Sequence, residues 1–254
     1  MRGQYRECRS FLLLIVDIHK VPQTPEKVQK SELFCTIEVS HLECGQVNVI
    51  SDKRAEKVLG IYSDYIKEIS GRYGISPAVI EAVALREMSQ INVADIFADL
   101  LVRLNHLFYT LGGKKTRKSG KKKNLLVKRD SSTGYCQIFA RVALNALNYG
   151  CLRGMTTYGD AGVDRPEGSL EPSSFDDVFY IWKKLHRDRN FNFHMALLNL
   201  ISAGEETVGH TRFGEYGEDD MKRMFSRYNA NTRNITSYGE ETYGIYKKLR
   251  GEHQ

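Results

Sequence analysis

The chain has 254 residues, enough for one large domain or a domain with a sizeable extension. Its composition, 41% hydrophobic and 27% charged, is that of a globular protein, and no apolar run is long enough to cross a bilayer as a helix. A net charge of +6 favours an anionic partner, and much of the excess sits in one stretch, Lys114 to Lys123.

Five cysteines (Cys8, Cys35, Cys44, Cys136 and Cys151) form no C-x-x-C pair and no cluster with histidine. The sequence therefore predicts no metal centre and no cofactor.

Near the start, "FLLLIV" (Phe11 to Val16) is followed at once by Asp17. It is shorter than a signal-peptide core and no small-residue cleavage site follows, so it reads as a buried strand rather than a classical export signal. "LFCTIEVSHLECGQVNVIS" (Leu33 to Ser51) alternates around a Cys44-Gly45 break, which predicts two short strands or a hairpin. Residues 1–50 are expected to form a partly β N-terminal extension, and 51–254 the main domain.

From Ser51 the pattern is helical. Val58, Ile61, Tyr62, Tyr65, Ile66, Ile69 and Tyr73 follow helical spacing up to Gly74. Ser76 and Pro77 then open a second helix as N-cap and first-turn proline. In it Ile80, Val83, Ala84 and Glu87 stand at i, i+3, i+4 and i+7, so Glu87 shares an apolar face. It also lies toward the negative end of the helix dipole. Burial and dipole would both hold its proton on, as a general acid requires.

A third helix, "VADIFADLLVRLNHLFYTL", is expected to bury Ile96, Leu100, Leu101, Leu104, Leu107 and Phe108 as a core stripe. A basic insertion at about 112–130 follows, read as a solvated loop or as an attraction to an anionic wall or membrane surface. No nucleic-acid fold pattern accompanies it, so no specific nucleic-acid partner is expected. Gln137 to Tyr149 reads as helix, and Gly159 to Ser174 as a polar loop. Two helices joined near Asp188 to Asn192 come next, then two C-terminal helical stretches. Trp182 reads as core. Tyr216, Tyr238 and Tyr243 could either pack or stack on sugar rings.

Three stretches stand out in order: "ALREMS" at a helix end, "DSSTGYCQI" with its glycine turn, and "SRYNANTRN" before a tyrosine-rich helix. Together they resemble the lysozyme-like superfamily, most nearly soluble lytic transglycosylases and goose-type lysozymes, over roughly Ser51 to Leu249. The resemblance implies a mainly α, lysozyme-like fold with little sheet. It implies that Glu87 is the single obligatory acid, protonating the oxygen of a β-1,4 glycosidic bond. Gly134, Tyr135 and Gln137 would line the glycan, Tyr228 would bond the acid through its hydroxyl, and Asn229 would order the turn. The sequence departs from the family pattern at Met88 between the glutamate and Ser89, at Tyr135-Cys136, and at Arg227.

The activity implied is cleavage between N-acetylmuramic acid and N-acetylglucosamine, by hydrolysis or by transglycosylation. Hydrolysis calls for a second carboxylate, with Asp130 ahead of Asp95 and Asp99 as the candidate base. A non-catalytic glycan-binding module and a chitosanase- or chitinase-like glycosidase are the alternatives. Peptidoglycan strands are the expected partner. A chain made in the cytoplasm would reach the wall on release or through delivery machinery, and a delivered toxin would need an immunity protein.

Overall fold

The computed structural model describes residues 50–111 and 130–251. The expected N-terminal extension and basic insertion lie outside the described residues, apart from Ile50 and Asp130. Among the described residues there are eight α-helices and one two-stranded sheet, a mainly helical fold. The helices are α1 (Asp52–Arg72), α2 (Pro77–Gln90), α3 (Val93–Leu111), α4 (Ala140–Leu152), α5 (Phe175–Arg187), α6 (Arg189–Val208), α7 (Glu218–Asn229) and α8 (Ser237–Leu249). None of them is long and apolar enough to cross a membrane.

The core is organised on α6. Its sequence is apolar on nearly every side, and Phe191 to Leu198 are buried without a break. A helix of that kind must be surrounded, and α1, α2, α4, α5 and α7 all pack against it. Asp188 starts it by accepting a 3.0 Å bond from the Phe191 amide, and Gly209 at φ 92° ends it in the left-handed conformation.

One buried histidine lies within α6. The hydroxyl of Tyr73 bonds His194 Nε2 at 2.6 Å, and burial lowers the imidazole pKa to about 4.

The turn into α2 follows the sequence reading. Gly74 has φ 64° and the Ile75 amide reaches back to the Ser70 carbonyl at 3.0 Å, closing α1. Pro77 occupies the first turn of α2, with Ser76 as N-cap, although the serine hydroxyl makes no capping bond.

Two short strands, β1 (Ser132–Thr133) and β2 (Ile138–Phe139), pair antiparallel with Ser132 opposite Phe139 and Thr133 opposite Ile138. The segment expected to be helical from Gln137 is thus hairpin turn first and helix only from Ala140. Gln137 itself has φ 43°, which no helix accommodates.

The helix α3 departs furthest from expectation. Among its described apolar side chains only Val102 joins the core, while Ile96, Leu100 and Leu107 are exposed; the Phe108 side chain lies outside the described residues. Its polar side faces the protein. Asp99 accepts bonds from Ser131 Oγ (2.7 Å) and Thr133 Oγ1 (2.9 Å). Arg103 donates to His186 Nε2 at 2.6 Å, and His106 stacks on Phe179 with centroids 3.6 Å apart. Trp182 is buried as expected and ties into the same network through Ser131 Oγ at 2.9 Å.

Candidate functional site

Glu87 stands near the C-terminal end of α2, one turn beyond Val83 and Ala84, which are fully buried. Two crossings bring its partners to it. At the first, α7 and α8 meet at Gly239, where a Cβ would lie 2.1 Å from Ser226 Oγ and 2.4 Å from the Lys222 carbonyl. No residue but glycine allows that approach. The Thr236 amide donates to Ser226 Oγ at 2.9 Å, and the Thr236 side chain caps α8. At the second, α8 packs on α2, so that Tyr238, one residue before Gly239, faces Glu87.

The Tyr238 hydroxyl donates to Glu87 Oε1 at 2.6 Å. Burial pushes the Glu87 carboxyl up to about 7. The Tyr238 bond and the Arg86 charge pull it down less than desolvation raises it, and the Asp95 charge adds a smaller upward push. Glu87 nevertheless keeps partial contact with solvent. Arg86 points the other way, with its guanidinium 5.2 Å over the Tyr238 ring and its Nε bonded to Glu241 at 2.8 Å. That arrangement clamps Tyr238 between the acid and a cation.

Cys136 and Tyr228 complete a buried cluster around the acid. Burial raises the Cys136 thiol and both tyrosine hydroxyls well above their ordinary values, so these three stay protonated. Glu87 alone among the four titrates near neutrality. Tyr228, expected to bond the acid, instead donates its hydroxyl to the Cys136 carbonyl at 2.7 Å. It fastens the hairpin turn to α7, and Tyr238 holds the acid. Asn229, the last residue of α7, is exposed.

Asn192 holds the turn from the other side. This buried side chain of α6 accepts from the Cys136 amide at 2.9 Å and donates to the Thr133 carbonyl at 3.0 Å. Gly134, with φ 80°, lies directly on it, and a Cβ there would come within 2.2 Å of Asn192 Nδ2. Gly134 is thus needed for the packing of the turn itself. Gln137 turns its amide nitrogen onto the Gly134 carbonyl at 2.7 Å. Tyr135 packs edge-on against Tyr62, and the Arg189 guanidinium lies 4.6 Å from its ring centroid.

The three candidate second carboxylates all have structural partners. Asp130 Oδ1 and Oδ2 accept the Ala140 and Arg141 amides, each at 3.0 Å, so Asp130 caps α4 from ten residues upstream. Burial raises its pKa against the lowering effect of those amides. Asp95 accepts the Asn92 amide at 2.9 Å, part of the cap of α3. Asp99 holds the hydroxyls of Ser131 and Thr133. Among the described residues no group of three or more His, Cys, Asp and Glu side chains is placed to hold a metal.

A cavity of about 350 Å³ lies away from Glu87, at the N-terminal end of α2, where Ser76 and Val79 line it with Tyr216, Tyr243, Tyr246 and Arg250. Two of the tyrosines weighed as sugar platforms, Tyr216 and Tyr243, therefore line this cavity, whose lining does not include the acid, and the third, Tyr238, is buried against Glu87.

Sequence reasoning missed Asn192, and it weighed Tyr238 for packing or stacking but not as the partner of Glu87. The signal for Asn192 was a lone amide in the apolar run "NFNFHMALLNL"; for Tyr238 it was the adjoining glycine of a capped helix. No protein-family model, curated protein or solved structure matches the chain.

Proposed function

We propose that the chain is a lysozyme-like glycosidase that cleaves the β-1,4 bond between N-acetylmuramic acid and N-acetylglucosamine in peptidoglycan, with Glu87 as general acid. The observation that carries the reading is the state of Glu87. It is desolvated enough to hold its proton to about pH 7, oriented by a 2.6 Å bond from Tyr238, and still in contact with solvent. A carboxylic acid matched in pKa to neutral pH is the group that protonation of a leaving oxygen needs. The surrounding order of acid-bearing helix end, glycine–glutamine turn and tyrosine-bearing C-terminal helices supports the same class.

The engagement of Asp130 by two amides, and of Asp99 by two hydroxyls, favours a reaction run by one carboxyl group. Glu87 would give its proton to the glycosidic oxygen as the C1–O bond breaks. The 6-hydroxyl of the same muramic acid would bond to C1 and return its proton to Glu87. The product would be a 1,6-anhydro sugar, with no water consumed. The test is mass spectrometry of muropeptides released from purified peptidoglycan. Anhydro-muramic ends are expected, and none from Glu87→Gln. Reducing ends would point to hydrolysis and to a second carboxylate. No release of either kind would remove peptidoglycan as the substrate.

A further inference from the structure

The helix α3 is amphipathic the wrong way round for a core element. At 100° per residue, an arc of about 140° carries only apolar residues. Val93, Ile96, Leu100, Leu101, Leu104 and Leu107 lie on it, and none of these six is buried. Ile96, Leu100 and Leu107 are 40%, 45% and 44% exposed. Asp95, Asp99, Arg103 and His106 all fall on the opposite arc, where bonds to Ser131, Thr133 and His186 and the stack on Phe179 fix the helix to the protein. The apolar arc itself carries no charge, exposed Arg103 borders it beside Ile96, and the helix is held by a hydrogen-bonded network more than by burial. An apolar face of this extent on a protein surface marks an interaction site.

We infer that this face of α3 is a membrane-surface anchor, lying in the headgroup region of an anionic bilayer. Three features favour a lipid surface over a protein groove. The apolar arc is continuous over nearly the whole helix, about 28 Å at 1.5 Å per residue, and contains no polar atom to set register with a partner. The helix is not long and apolar enough to span, so it would lie in the interface plane with its apolar face immersed. The sequence that continues from it supplies matching charge, for Lys114 to Arg129 holds nine Lys or Arg and no Asp or Glu. Basic residues beside an amphipathic helix add attraction to anionic lipid and are screened by salt.

The test uses the full chain and large unilamellar vesicles of phosphatidylcholine, alone or with about one third phosphatidylglycerol. The vesicles hold no glycan, so the outcome is independent of the proposed enzymatic activity. Co-sedimentation with the anionic vesicles is expected, weakened by added salt. The double substitution Leu100→Ser with Leu107→Ser should bind roughly 10- to 100-fold more weakly, with the fold retained by circular dichroism and a small drop in melting temperature, because each side chain is about half exposed. Trp182, the one native tryptophan, is buried. The indole introduced by Leu100→Trp should therefore be the one whose emission shifts to the blue on vesicle addition. Failure to bind anionic vesicles would overturn the proposal. So would binding that the double substitution leaves intact, or an indole at position 100 that does not shift. A dimer that the double substitution dissociates, without vesicle binding, would assign the face to a second copy instead.

Discussion

Tyr238 donates a 2.6 Å hydrogen bond to Glu87 across 151 positions of sequence, and that bond lowers the carboxyl pKa against a larger upward push from burial. A donor to the carboxylate favours the ionised form. In Tyr238→Phe the Glu87 pKa should therefore rise above about 7, moving the alkaline limb of the pH–rate profile upward by about one unit. The maximal rate should fall as well, since the acid loses its fixed rotamer. A profile of kcat/KM against pH for both proteins checks this. An unchanged alkaline limb would separate the bond from the chemistry.

The same carboxyl should reduce stability at alkaline pH. Its folded pKa, about 7, lies above the ordinary 4.5. Its contribution is therefore fully present below pH 4.5 and is lost as pH rises through 7. Replacing it with an uncharged amide should raise stability above pH 7 by on the order of 2 kcal/mol, allowing for its partial contact with solvent. Calorimetric melting of wild type and Glu87→Gln at pH 5 and pH 8 would show a higher Tm for the variant only at the alkaline end.

His194 gives the opposite slope. Burial holds the imidazole at about 4 while it accepts or donates through Nε2 to Tyr73. Because the folded pKa lies below the ordinary 6.5, stability is present above 6.5 and is lost as pH falls toward 4. A Tm series across that window should decline in wild type and flatten in His194→Gln, which removes the titrating ring at the price of a repacked site.

Asp130 offers a clear separation of roles. As the cap of α4 it should lose about 1–2 kcal/mol on conversion to alanine, measured by urea unfolding, while activity per folded molecule stays within a few-fold. A loss of three orders of magnitude in a folded Asp130→Ala protein would make it a second catalytic carboxylate.

Asn192 should matter through the hairpin turn. Asn192→Ala leaves the Cys136 amide and the Thr133 carbonyl without their partner, and each buried orphan costs about 1–3 kcal/mol. Gly134→Ala meets the same side chain from the other direction, at a left-handed φ. Both should lower Tm by several degrees, and each should reduce activity by loosening the turn beside Glu87.

Much of the helical framework was legible because each helix carries its own punctuation. Pro77 after Ser76, Gly74 at a left-handed stop and the joint at Asp188 are local signals, and the structure has helix ends at all three. The inward position of Glu87 was legible from spacing alone. What holds it was not. Whether Tyr228 or Tyr238 reaches the acid depends on how closely α7 and α8 approach at Gly239, a tertiary fact. Gln137 read as helical because the apolar period of α4 extends back through it, whereas the hairpin requires its positive φ. For α3, periodicity identified an amphipathic helix but not which side packs. The polar side was chosen by hydrogen bonds from residues thirty and more positions away.

The central claim is that Glu87 is the proton donor in glycoside cleavage. The most direct measurement is the initial rate of soluble fragment release from purified peptidoglycan by wild type and Glu87→Gln, with both shown to be folded by circular dichroism. The account expects the variant to lose at least about 100-fold in rate. Equal rates from the two proteins would contradict it.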